Sequence, residues 1–395
     1  SAHVKIPLRL AGEPLPPPPG PVLLATGFRP FFLGAALFAV VSVPLWMVLL
    51  TAGGTTGLPG AQWHAHEMVF GYGGAVLAGF LLTAVRHWSG GRATAANLPL
   101  ALLVLAWLAG RIVHLPGVPD VGALAAVPDV AWLLGVTVAI GRPLVAAGSK
   151  RNYGFLLALP ALAGLTVALH LGRWGGSFLL ELALMVFVAI LAVVGGRIVP
   201  LFTRNARPKL GVESIAAVEP LVPLGLALVV IAPFLRSIPG ARAVFLVIGG
   251  AILVARMSRW RALGTRDEPL LWILHVGCWW LPLGLFLLAA GSMGWIPAAV
   301  GTHALGAGAL GSLTVGMLAR VSLGHTGRPL TAPRSATIAF VAVVLAGLIR
   351  TVAPFFGTPT GMLHGASTLW AVGFVAFLIG YARILVTPRA DGKPG

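Results

Sequence analysis

Twelve apolar stretches, each near the length needed to cross a bilayer, take up most of the 395 residues. A spanning helix needs roughly 20 predominantly apolar residues, because in hydrocarbon the backbone must satisfy its own hydrogen bonds. The stretches lie at approximately 28–51, 62–86, 97–114, 121–141, 153–171, 177–199, 215–235, 240–258, 268–291, 297–319, 335–353 and 362–386. The short stretch 97–114 and the stretch 121–141, which contains Pro128 and Asp129, fit the pattern least well. Charged residues make up only 9% of the chain, against about 25% in a soluble domain. The expected fold is therefore all-α: a polytopic membrane bundle of about twelve transmembrane helices with no soluble domain. Residues 1–26, Pro-rich from Pro14 to Pro19, are expected to be a flexible cytoplasmic segment. Residues 27–387 form the single transmembrane domain, and 388–395 a cytoplasmic tail.

A net charge of +17 would suit nucleic-acid binding if it were clustered on a soluble surface. Its placement says otherwise. With the spans alternating, 22 of the 27 Lys and Arg residues fall on one side; Arg111, Arg173, Arg236, Arg242 and Arg350 fall on the other. Such asymmetry orients both termini toward the cytoplasm. The partner of the basic side is the lipid bilayer, and no nucleic acid is expected. The one cysteine, Cys278, rules out an intramolecular disulfide.

The second, sixth and tenth stretches run inward and end in similar basic turns: Arg86 to Arg92, Arg197 to Arg204 and Arg320 to Arg328. This echo suggests three four-helix arcs around a pseudo-threefold axis. The plainer reading is that any inward helix ends in arginine.

Ionisable groups inside a membrane are costly and usually functional. Neutral imidazole ligates haem iron and copper, so the histidines come first. His64 and His66 open the second stretch within Trp63-His-Ala-His-Glu-Met68, and His303 opens the tenth. His66 precedes Arg86 by 20 residues and His303 precedes Arg320 by 17. At 1.5 Å per residue both lie roughly 25–30 Å from the inner arginine layer, so they share a depth near the outer boundary. If both helices face the centre, His66 and His303 can point at one another as ligands of a haem. Gly71, Gly73, Gly74 and Gly79 on one helix, with Gly306, Gly308, Gly311 and Gly316 on the other, would leave room for a flat macrocycle. For glycine alone, close helix packing is the commoner reason.

His64 is the favoured start of a copper site, with His364, His114 or His170 as partners. His275 and Cys278 share one helix face, though a buried cysteine is more often a small hydrophobe. His87 and His325 belong to the inner basic turns and are weaker ligand candidates. Glu67 is placed to hold a histidine in one tautomer. Glu181 is open to proton transfer, metal ligation or a neutral hydrogen-bonded state, the last being favoured. Arg86 and Arg320, within a layer that includes Arg29, Arg197, Arg204 and Arg328, are candidates to clamp haem propionates. Trp46, Trp63, Trp88, Trp107 and Trp295 suit an interfacial belt.

Gly27-Phe-Arg-Pro-Phe-Phe32, His64-Ala-His-Glu-Met-Val-Phe-Gly71, Gly195-Gly-Arg-Ile-Val-Pro-Leu-Phe-Thr-Arg-Asn205 and Arg320-Val-Ser-Leu-Gly-His-Thr-Gly-Arg328 together resemble the NnrS family. That resemblance implies a bacterial inner-membrane protein of twelve helices containing haem, b-type as the first expectation, and copper. It also implies a link to nitric oxide, nitrosative stress and denitrification. The family invites comparison with haem–copper oxidases and nitric oxide reductases. Here the sixth and seventh stretches carry no histidine, so a three-histidine copper site of that kind is not expected.

The functional expectation is binding, sensing or detoxification of nitric oxide, or protection of iron sites during nitrosative stress; nitric oxide is small and apolar enough to arrive through the bilayer. The alternatives are an oxidoreductase using quinol or cytochrome electrons, and a transporter of metal, haem or a nitrogen oxide. The scarcity of ionisable groups at mid-membrane weighs against transport.

Overall fold

The computed structural model describes residues 20–54 and 56–393. The expected N-terminal lead-in falls largely outside these residues. Among the described residues there are helices and no strands. Ten helices are long and apolar enough to cross a membrane. In chain order with two shorter apolar rods they are α1 (Phe28–Ala52), α2 (Ala61–Trp88), α3 (Asn97–Val113), α4 (Gly122–Ala146), α5 (Lys150–His170), α6 (Gly176–Ala206), α7 (Glu219–Leu235), α8 (Pro239–Met257), α9 (Pro269–Ser292), α10 (Ala299–His325), α11 (Arg334–Phe356) and α12 (Thr360–Val386). The shorter pair, α3 and α7, match the stretches expected at 97–114 and 215–235.

Burial sorts the rods. In α2 and α10, 83% and 89% of the apolar window is inside the bundle, against 28% for α1. A helix that is apolar all round can take either place; glycine is what admits α2 and α10 to the centre. A Cβ on Gly74 would meet the Trp132 ring at 2.7 Å, one on Gly79 the Phe32 ring at 2.9 Å, one on Gly308 Trp280 at 2.5 Å and one on Gly311 Trp370 at 2.7 Å. Aromatic rings from neighbouring helices thus fill these four notches, while Gly316 faces Ile273 and Leu274 and Gly306 has open space beside it.

α2, α6 and α10 meet around a small apolar cavity of about 50 Å³, lined by residues such as Val76, Phe187, Val194 and Leu313. Their central placement agrees with the arcs expected from sequence. The deep burial of α9, at 67%, departs from equal arcs. A closer internal match joins α2 and α10 alone. Each begins as a short α-helix ending in histidine, opens into a seven-residue π-turn (Glu67–Gly73 and Ala304–Leu310), and closes as α-helix. His66, Gly71, Gly74, Gly79 and Trp88 each stand 237 residues before His303, Gly308, Gly311, Gly316 and His325.

The start of α1 and the end of α12 lie on one face of the bundle. Arg29 at the start of α1 donates from Nη1 to the carbonyls of Leu385 at 2.9 Å and Thr387 at 2.8 Å. A cation at a helix C-terminus satisfies orphan carbonyls and complements the dipole. Arg389 likewise donates to the His325 carbonyl at 2.8 Å. The inner basic layer therefore ties helix ends together. Arg86 is exposed, while Arg320 is buried with its guanidinium 4.1 Å above the Phe202 ring.

Candidate metal centre

At the side of the bundle opposite Arg29 and Thr387, the ends of α2, α3, α4 and α5 converge on one buried polar cluster. α2 supplies His66 and Glu67, α3 supplies Arg111 with His114 just beyond it, α4 supplies Asp129, and α5 ends in His170. Such a concentration of ionisable groups survives in an apolar bundle only if the members satisfy one another. Arg111 does most of that. Its Nη1 donates to both Glu67 oxygens at 2.8 Å, and its Nη2 donates to Asp129 Oδ1 at 2.5 Å. Trp132 Nε1 adds a bond to the same Asp129 oxygen at 3.0 Å. All three charged side chains are at most 5% exposed.

The π-turn after His66 releases backbone groups from the regular ladder. The Gly71 carbonyl, which also takes the Gly74 N–H, accepts from Trp107 Nε1 at 2.9 Å; Trp63 Nε1 donates to the His114 carbonyl at 2.6 Å. Trp63 and Trp107 are therefore core residues rather than members of the expected belt, whereas Trp295 is exposed.

The histidine tautomers follow from these bonds. His114 Nδ1 lies 2.6 Å from the Gly110 carbonyl and His170 Nδ1 lies 2.8 Å from the Thr166 carbonyl. A carbonyl only accepts, so both Nδ1 atoms carry hydrogen. Both Nε2 atoms are then bare lone pairs, and they face one another at 2.8 Å. Two bare acceptors at that distance repel, so either a shared proton or a metal ion must lie between them. His66 completes the group: its Nδ1 sits 2.9 Å from Glu67 Oε1, which leaves Nε2 pointing inward. That nitrogen makes its hydrogen-bond contact with Thr166 Oγ1 at 3.3 Å and lies 3.2 Å from Asp129 Oδ2, within ion-pair range. The three imidazoles each bring a ligand nitrogen within 4.8 Å of the others. Every ring is oriented by a second bond from its far nitrogen, as metal-ligating histidines generally are.

His66 and His303, expected to face each other, sit in different surroundings. His303 donates from Nδ1 to the Ala299 carbonyl at 2.8 Å and lies in the field of His64 and Arg350. His64 stacks on Trp46 with ring centres 5.3 Å apart. His364 is exposed beside an open apolar groove flanked by α1 and α12. His87 and His325 pair at the inner end, 5.3 Å between ring centres. His275 bonds Thr203, and Cys278, one turn on, is buried against Gly195. Glu181, expected as a neutral acid, is an ion-paired carboxylate: Arg242 reaches it at 2.6 Å and Arg236 also bonds it.

Arg111 and Asp129 were not among the sequence candidates. The signal was present, since each is a charge inside or beside an apolar stretch. Asp129 instead counted only against its span, and Arg111 only as one of the outer cations.

The profile of the family described as NnrS protein matches residues 22–389. The chain belongs to the NnrS family. That match covers nearly the whole transmembrane bundle, from before α1 to beyond α12. No curated protein matches the chain.

Proposed function

We propose that this NnrS-family chain is a bacterial inner-membrane protein, both termini cytoplasmic, that handles nitric oxide at a copper centre held by His66, His114 and His170. The observation that carries the metal assignment is the pair of bare Nε2 atoms on His114 and His170, 2.8 Å apart with both Nδ1 atoms committed to backbone carbonyls.

Charge points to the kind of ion. Glu67, Asp129 and Arg111 sum to one negative charge; a proton on His66, held between Glu67 Oε1 and Asp129 Oδ2, balances it in the free site, and a copper(I) ion taking the imidazole nitrogens would displace that proton without changing the total. When bound, copper supplies one-electron exchange and affinity for diatomic gases. The protein's own part is orientation and exclusion. Glu67 and the two carbonyls aim the rings, Arg111 holds both carboxylates apart, and Phe70, 4.9 Å from the His66 ring, helps shield the inner side. Nitric oxide reaches such a site from the bilayer without a polar channel. A haem between His66 and His303 finds no slot at Gly74, Gly79, Gly308 or Gly311, whose notches hold aromatic rings.

Purified protein should contain copper, and its optical and electron-spin spectra should change with nitric oxide. His114→Ala and His170→Ala should each lose the metal, while His87→Ala keeps it. Full copper retention in both outer variants would overturn the assignment. A second reading, turnover with electrons from a lipid-soluble quinol, is favoured by a groove at the opposite end of the bundle.

A further inference from the structure

A groove of about 1080 Å³ opens on the side of the bundle near the inner end of α9. Trp272, Trp279 and Leu283 of α9 form one wall, Leu348 of α11 another, and Arg261 and Arg266 stand at its inner rim. Trp279, Leu283 and Leu348 are exposed on the lipid-facing surface. His275 also lines this groove, six residues along α9 from Pro269, roughly 9 Å along the helix.

The hydrogen bonds of His275 define what the groove lacks. Thr203 Oγ1 donates its single hydrogen to the Val199 carbonyl at 2.8 Å. Toward His275 Nε2, 2.9 Å away, the same oxygen can only accept. Nε2 therefore carries the ring hydrogen and Nδ1 is a bare lone pair. That Nδ1 is buried and has no partner among the described residues. A buried acceptor without a donor is costly, more so where lipid excludes water. The occupant must be apolar enough to enter from the bilayer, flat enough to lie among indole rings, and must present a hydroxyl donor.

We propose that this groove binds the head group of a lipid-soluble hydroquinone, one ring O–H donating to His275 Nδ1 and the tail leaving past Leu283 and Leu348. A phospholipid fits less well: its phosphate only accepts, so it would suit Arg261 and Arg266 and leave Nδ1 bare. As an electron-donor site the groove rests on the second reading above; as a binding site it rests on its own geometry.

The test is anaerobic equilibrium binding of a decyl-tailed hydroquinone to the full chain in phosphatidylcholine nanodiscs. The same ring as its dimethyl ether serves as the comparison. The hydroquinone should bind roughly tenfold or more tightly than the ether, the value of one buried hydrogen bond. His275→Phe keeps a ring and removes the acceptor, so it should erase that preference. Leu348→Trp fills the mouth and should weaken both probes. Equal binding of hydroquinone and ether, an unchanged preference in His275→Phe, or displacement by an anionic phospholipid alone would overturn the proposal. His114→Ala separates the two sites: it should lose copper and keep hydroquinone binding. If copper is absent from the wild type but the hydroquinone preference stands, only the metal reading fails.

Discussion

Arg111→Met removes the cation that two buried carboxylates share. The side chain is 5% exposed, and its partners Glu67 and Asp129 are 1% and 0% exposed. No water can take its place, so the loss is that of breaking a buried ion cluster, about 3–5 kcal/mol, rather than the roughly 0.2–1 kcal/mol of a surface pair. Because one guanidinium serves both acids, the upper half of that range is expected, about a thousandfold in the folding equilibrium. Reversible unfolding in mixed micelles, followed by tryptophan fluorescence, measures it. The triple variant Arg111→Met, Glu67→Gln, Asp129→Asn removes charge from all three members and should regain most of the loss, since replacing every partner is far milder than stranding some. A loss below about 1 kcal/mol for the single variant, or no recovery in the triple, would refute the claim that this cluster is closed and mutually satisfied.

Gly74→Val forces a side chain into the Trp132 ring, 2.7 Å from the first added carbon, and should cost about 1–3 kcal/mol by overpacking in the same unfolding assay. Gly164→Ala, which meets nothing within 4 Å, should leave stability unchanged or slightly raised. Tyr72 and Thr314 join α2 to α10 through hydroxyls 2.5 Å apart; a double-mutant cycle with Tyr72→Phe and Thr314→Val should give a coupling of about 0.6–1.7 kcal/mol. At the C-terminus, Arg389 donates to Asp391 and holds its carboxyl down to about 2. A depressed carboxyl stabilises above its unfolded value of about 3.9 and loses that effect as pH falls through the folded one. The Arg389–Asp391 pair should therefore persist at pH 4 and be lost near pH 2, read by the Asp391 carboxyl shift in carbon NMR; a midpoint near 4 would break the link to Arg389.

Much of the fold was legible. Length and apolarity alone located the rods, because a bilayer demands one continuous apolar helix per crossing. The glycines of the second and tenth stretches hinted that α2 and α10 face the centre; the basic turns shared with α6 marked an echo but not a position. The site was only half legible. His66 and Glu67 stood out within one motif, but His114 and His170 sit at the ends of different helices, and nothing along the chain says that those ends meet. The pairing of His66 with His303 came from equal depth. Depth fixes height and leaves the angle around the helix free, and the π-turns altered that angle. The oxidase comparison searched α6 and α7 for copper ligands; the three-histidine group lies on α2, just beyond α3 and at the end of α5.

The chain's own order of residues determined that this protein is a multi-pass bundle of apolar helices, and which of its imidazoles and arginines lie at the helix ends. Those properties come from local energetics: the transfer of each segment into lipid, and charge placed at the segment ends. Only the tertiary structure decided which imidazoles share a site, that Arg111 and Asp129 complete it, and that aromatic rings occupy the notches at Gly74, Gly79, Gly308 and Gly311. Those outcomes depend on helix rotation and contact between distant segments, where shape and hydrogen-bond direction choose among arrangements that hydropathy ranks as equal.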